Sequence, residues 1–291
     1  MELNHLEVTA PPRAAASVVM LRDSAAGMEV LLQKRHAASS VLGGAHVFPG
    51  GKLDAADMEL DMSAHLDQDV QALHEALCEP ALSPIEAAGL HVAAFREAFE
   101  ECGLLLAHGA SQRVAELATL RVTQGLDFNR LLADLSLRLD TGNLVPWSRW
   151  ITPKVPSVSS KRFDTRFFIA RVEEGVEVSH DDRELVETAW LQPRAALESY
   201  WAGKIMLAPP QIMSLAHLSR HASSREVLDA ARVSGPALIQ PHSCEIEGQR
   251  VVCYPGDERH PVTQRALPGP SRLVFRNRRF EPFEGFQAFF E

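Results

Sequence analysis

"FREAFEECGL", residues 95–104, places three carboxylates within five consecutive positions: Glu97, Glu100 and Glu101. Phe95, Ala98, Phe99 and Cys102 recur at helical spacing and form an apolar stripe. Gly103 offers a left-handed stop, and Leu104 opens the next apolar run. On such a helix Glu97 stands three residues before Glu100 and four before Glu101, so all three share one face, turned away from the stripe. Arg96 falls outside that face, and no Lys or Arg is interleaved in it. Like charges at this spacing repel by roughly 0.2–0.5 kcal/mol per pair. The face is therefore either a solvated acidic surface or a site for a hard divalent cation, which would convert the repulsion into binding.

A second stretch, "GAHVFPGGKLDAAD" at 44–57, reads as a strand, His46 to Phe48, followed by a Pro-Gly-Gly turn. Gly50 and Gly51 permit close approach of backbone to a ligand. Taken with Arg96-Glu97-x-x-Glu100-Glu101-x-Gly103-Leu104, this stretch resembles the Nudix hydrolase signature. The C-terminal half of the signature matches at every defined position. In the N-terminal half Asp57 stands where the family has Glu, and 38 residues separate Asp57 from Arg96 where the family has seven. A box split in this way is similar to that of the Nudix branch typified by the peroxisomal coenzyme A diphosphatase of animals. "WITPKVPSVSSKRFDTRFFIA" and "LAPPQIM" also resemble segments of that branch, in the same order, so the likeness runs from about Ala14 to about Leu218.

The resemblance implies a Nudix fold of class α/β (α+β), a mixed sheet between helices. It implies one cation site, for Mg²⁺ or Mn²⁺, held by the carbonyl of Gly50 and the carboxylates of Glu97, Glu100 and Glu101. Glu97 is the candidate for orienting or deprotonating the attacking water, and Arg96 for pairing with a box carboxylate and holding it in place. Asp57 is the candidate partner. Some members of the family take the base from a distant loop, which here would be "SHDDRELVE" with Asp181, Asp182, Glu184 and Glu187. Cations neutralising a diphosphate and acidifying a bound water suit phosphoanhydride hydrolysis. Lys154, Lys161, Arg162 and Arg35 are candidates for the substrate phosphates. Trp147, Trp150 and Phe163 would either stack on a base or fill the core.

The chain has 291 residues, 46% hydrophobic and 23% charged, an ordinary globular composition. Its net charge of −9 disfavours non-specific nucleic-acid binding. No apolar run approaches the length needed to span a membrane, and "MELNHLEVTAPPR" lacks the pattern of a secretory signal. The four cysteines form no CxxC pair and read as free thiols, and "FQAFFE" is not a peroxisomal address, so the expected location is the cytoplasm.

Residues 1–204 are expected to form the Nudix domain, with 58–90 a helical insertion packed beside the cleft and shaping what enters it. Ser83 is the expected N-cap of the helix that carries the glutamates, with Pro84 at its first position. Residues 205–291 are expected to form an α/β extension that packs on the Nudix sheet or on a second subunit. In it "CEIEGQRVVCY" reads as a hairpin and "RLVFRNRRF" as one further strand. The arginines and aromatics of that last segment suggest a homodimer contact. The function expected is metal-dependent hydrolysis of the diphosphate of coenzyme A or acyl-coenzyme A to 3′,5′-ADP and (acyl-)4′-phosphopantetheine. The alternatives are a pyrophosphatase for ADP-ribose, NADH or another nucleoside diphosphate derivative, and a non-catalytic nucleotide-binding module of the same fold.

Overall fold

The computed structural model describes residues 3–4, 6–39, 42–156, 161–176, 178 and 185–291. The chain opens with β1 (Arg13–Ser24), β2 (Gly27–Arg35), β3 (His46–Val47) and β4 (Gly50–Lys52), then the short helices α1 (Ala55–Glu59), α2 (Met62–His65) and α3 (Val70–Leu77). The long helix α4 (Pro84–Cys102) follows, then β5 (Ala107–His108), α5 (Gln112–Thr123), α6 (Phe128–Asp134) and β6 (Arg138–Leu139). Next come β7 (Leu144–Ile151), β8 (Phe163–Arg171), β9 (Leu185–Leu191), α7 (Pro193–Trp201), α8 (Pro209–Leu218) and α9 (Ser224–Ser234). The chain ends with β10 (Ala237–Ile239), β11 (His242–Ile246), β12 (Gln249–Cys253), β13 (Arg272–Arg276) and β14 (Arg279–Glu281).

The central sheet runs β10-β7-β8-β1-β2-β3, with β4 added to β1 and β9 to β2. It is mixed: β1 pairs with β8 in parallel and with β2 and β4 antiparallel. Both faces are covered, and the strand sequences show it. In β1, Ala16, Val18 and Met20 join the core on one face while Val19 and Leu21 join the core on the other. In β8, Phe168 and Ala170 point one way and Phe167 and Ile169 the other. Strands apolar on both sides are what a sheet buried between two layers requires.

Helix α4 lies on the first face. Ser83 caps it by accepting the Glu86 N–H while Glu86 reaches back to the Ser83 N–H, Pro84 fills the first turn, and Gly103 closes it at φ 68°. Residues 84–90 thus belong to α4, which is longer than the signature. The remainder of the 58–90 segment is helical over α2 and α3, and its position differs from the expectation. Leu60, Met62, Leu66, Leu73 and Leu77 are buried in the core shared with α4 and β1. No residue from 58 to 90 lines the cleft described below. The insertion therefore supports α4 from behind. Its last turn is tied to the sheet by Glu79, which receives Arg166 through both oxygens (2.9 and 2.5 Å) and Arg149 at 2.8 Å.

The C-terminal extension covers the second face. Val252, Tyr254, Leu273, Phe280 and Phe289 share one core with Val19, Leu21, Val30 and Ile169 of the central sheet. The extension also adds β10 to the sheet, parallel to β7. The Tyr200 hydroxyl donates to the Phe280 carbonyl and accepts its N–H, both at 2.8 Å. "RLVFRNRRF" is a hairpin of β13 and β14, not one strand; Asn277 and Arg278 turn it at φ 52° and 61°. Three of its four arginines are engaged within the chain. Arg272 pairs with Asp257, while Arg276 and Arg279 both pair with Glu281.

Candidate active site

The Gly50–Gly51 turn, the carboxylate face of α4 and the adjoining ends of β7 and β8 enclose a cleft of about 690 Å³. Two glycines make this approach possible. A Cβ on Gly50 would lie 2.4 Å from the Ala16 carbonyl oxygen, and one on Gly51 would lie 2.2 Å from Glu97 Oε1. The turn thus lies against β1 at Gly50 and against the helix at Gly51 because neither residue has a side chain. The Gly50 N–H donates to Glu101 Oε2 at 2.9 Å, and Gln33 Nε2 on β2 donates to the Glu101 carbonyl at 2.9 Å. Sequence reasoning did not single out Gln33; a glutamine inside the apolar run of β2, fully buried, was its one signal.

Arg96 organises the box. Its Nε and Nη2 donate to the two oxygens of Asp57 at 2.8 and 3.0 Å, and Nη2 also reaches the Lys52 carbonyl at 3.1 Å. Its Nη1 donates to Glu97 Oε1 at 2.7 Å and to Glu100 Oε2 at 3.2 Å. Arg96 therefore does serve the acidic face, contrary to the expectation from helical spacing. The long side chain bends back over its own helix because buried Asp57 anchors it. Asp57 is held in turn by α1: its Oδ2 accepts the Asp54 N–H at 2.8 Å in a capping box. The two halves of the split box are thus joined by a bidentate ion pair across 39 residues.

The electrostatics follow from burial. Burial pushes the carboxyls of Glu97 and Glu100 above the ordinary range, against the pull of Arg96. Each has one oxygen on Arg96 and a second oxygen for another partner. Three carboxylates around a backbone turn form an all-oxygen donor set, which fits a hard divalent cation. A second group, Asp67, His108 and Asp140, also lies close together, but away from the cleft. Hydrogen bonds from Thr141 and from His108 (2.7 Å) to Asp67 account for its arrangement.

Of the other residues named from sequence, Arg35, Lys161, Trp150 and Phe163 line the cleft. Arg162 does not; its guanidinium donates to the carbonyls of Thr152 (3.0 Å) and Ala10 (3.2 Å) and serves the fold. Lys154 is exposed and Trp147 packs on His217; neither belongs to the cleft lining. Glu187 sits exposed on β9, 3.8 Å from Lys34. Asp181, Asp182 and Glu184 lie outside the described residues. Arg13, Lys52 and Gln211 line the cleft and were not singled out from sequence.

The family model described as the NUDT19 Nudix domain matches residues 80–218 of this chain. That span holds the whole of α4. Over that span the chain is similar to the Nudix hydrolases. It is 26% identical over 94% of its length to a putative nudix hydrolase 7 of Caenorhabditis elegans, covering 82% of that protein. It is 32% identical over 68% of its length to the human acyl-coenzyme A diphosphatase NUDT19, of which it spans 62%. A crystal structure of a Nudix hydrolase from Alicyclobacillus acidocaldarius superposes on 79% of this chain and 99% of its own, with a TM-score of 0.62 at 26% identity. These likenesses make the chain an enzyme that acts on phosphoanhydride bonds.

Proposed function

We propose that this Nudix hydrolase cleaves the diphosphate linkage of coenzyme A or acyl-coenzyme A, releasing 3′,5′-ADP and (acyl-)4′-phosphopantetheine, with Mg²⁺ or Mn²⁺. The observation that carries the substrate class is the likeness to the human acyl-coenzyme A diphosphatase. The geometry suits it: a polyanion entering the cleft meets Arg13, Arg35, Lys52 and Lys161 in the same lining as the three glutamates.

Glu97, Glu100 and Glu101 are the residues to hold the cation, which when bound would neutralise the diphosphate and acidify a water. Glu97 is the residue to orient that water and take its proton; its contact with the turn and its bond from Arg96 support that role. Arg96 offsets part of the negative charge of this face and fixes Glu97 and Glu100 in place. Glu101, hydrogen-bonded to the Gly50 N–H, locks the helix to the turn, so both sides of the site move as one body.

The test is a product assay. Coenzyme A is incubated with purified protein and Mg²⁺ or Mn²⁺, and the products are separated by chromatography. Equal amounts of 3′,5′-ADP and 4′-phosphopantetheine, abolished by chelator, are expected. Cleavage of ADP-ribose or NADH with coenzyme A left intact would replace the substrate assignment.

A further inference from the structure

The cleft extends well past the glutamates. Its lining continues to the first turn of α8, Ala208, Pro209, Pro210 and Gln211, with Pro241 and Val252 beside them. This part of the wall is apolar with one exception. Gln211 is only 6% exposed, yet its Oε1 is buried with no hydrogen-bond partner. Pro209 and Pro210 have no N–H to give it. A buried acceptor left unpaired is destabilising, so a protein gains by placing one there only if something else fills it. Ser214 and Tyr254 also have buried side-chain oxygens without partners, but neither is part of the cleft lining.

We infer that Gln211 is a specificity-determining residue whose carbonyl accepts an N–H from the substrate, and that this N–H is a secondary amide on the arm of the substrate opposite the nucleoside. The inference rests on the coenzyme A reading, since the 4′-phosphopantetheine half carries such amides between methyl and methylene groups. Adenine also offers an N–H, from its amino group. The surroundings favour the amide arm. Aliphatic side chains and prolines flank Gln211, which suits a saturated chain. The nearby Trp150 ring is already packed edge-on against Phe167 and Tyr254, with centroids 6.3 and 6.0 Å away.

The test replaces Gln211 with leucine, and with methionine as a variant of near-equal volume should Gln211→Leu fold poorly. The kcat/KM for coenzyme A is measured beside that for ADP-ribose, which has the adenine and no amide arm. Binding of 4′-phosphopantetheine alone is measured by calorimetry. The ratio of kcat/KM for coenzyme A over ADP-ribose should fall about tenfold, through KM, and the Kd of 4′-phosphopantetheine should rise by a similar factor. Equal losses on both substrates would assign the contact to adenine and overturn the inference. Unchanged constants in both variants would make Gln211 a packing residue and overturn it as well. Should the wild-type protein fail to cleave coenzyme A, the coenzyme A reading falls by itself, while the calorimetry still decides on Gln211.

Discussion

At the scale of single residues, the site depends on how closely a helix and a turn approach each other. Glu101 both closes that contact and contributes to the carboxylate face. Glu101→Gln keeps the shape and removes the charge; turnover should fall on the order of 10²–10³-fold with the melting temperature retained, and Mn²⁺ binding measured directly should weaken. Near-normal turnover would remove Glu101 from the site. Gly51→Ala tests the approach itself. Its methyl would lie 2.2 Å from Glu97 Oε1, the movable end of a side chain, so the fold should survive while Glu97 is pushed out of place. A drop in kcat with little change in melting temperature is the expected result, and unimpaired kcat would show that the contact is not needed. The shared face of the three glutamates was legible because their spacing follows helix geometry, while Gly50 and Arg96 stood out only through the likeness to the Nudix signature. The reach of Arg96 back to Glu97 and Glu100 was not legible, because it depends on where a residue 39 positions away anchors the guanidinium. Gln33 and Gln211 were illegible for the same reason: each acts on a partner, or lacks one, outside its own element.

Among the elements, α4 was readable from both ends, since Ser83, Pro84 and Gly103 mark its limits locally. The hairpin of β13 and β14 was missed because Asn277 and Arg278 adopt left-handed backbone without a glycine to announce the turn. The 58–90 segment was expected to be helical, yet its sequence could not say which neighbour the apolar side of α3 would meet. The structure gives that side to α4: Leu73 and Leu77 are both buried in the common core. Leu73→Ala should therefore destabilise the whole protein by about 2–5 kcal/mol, read as a lower urea midpoint, while the preference among diphosphates stays as it was. A variant of normal stability with altered preference would return the insertion to the edge of the cleft.

Across the whole molecule, two layers close on one sheet, and each hides a histidine. His91 on α4 is fully enclosed beside Phe168, and His217 on α8 lies against Trp147. Burial holds both well below the usual imidazole value of 6.5, to about 4. The unfolded chain takes up these protons first as pH falls, so the stability contributed by the neutral rings is complete above about pH 7 and is lost between about 6.5 and 4. For His91 this amounts to about 3 kcal/mol at most. The melting temperature should decline through that window, and His91→Leu should decline less steeply; parallel curves would rule the effect out. Three of the four arginines that suggested a subunit contact pair inside the extension, whose apolar side chains pack on the sheet. The split box has one further consequence. Its halves meet through the Asp57–Arg96 ion pair and a shared core, and the peptide between them passes through an exposed turn at Ala81. Continuity of the chain at that point is not what holds the site together, so the enzyme should work as two pieces. A protease site placed between Ala81 and Leu82, cut after folding, should yield fragments that co-elute and keep their activity; fragments that separate or fall inactive would show that the covalent link itself is required.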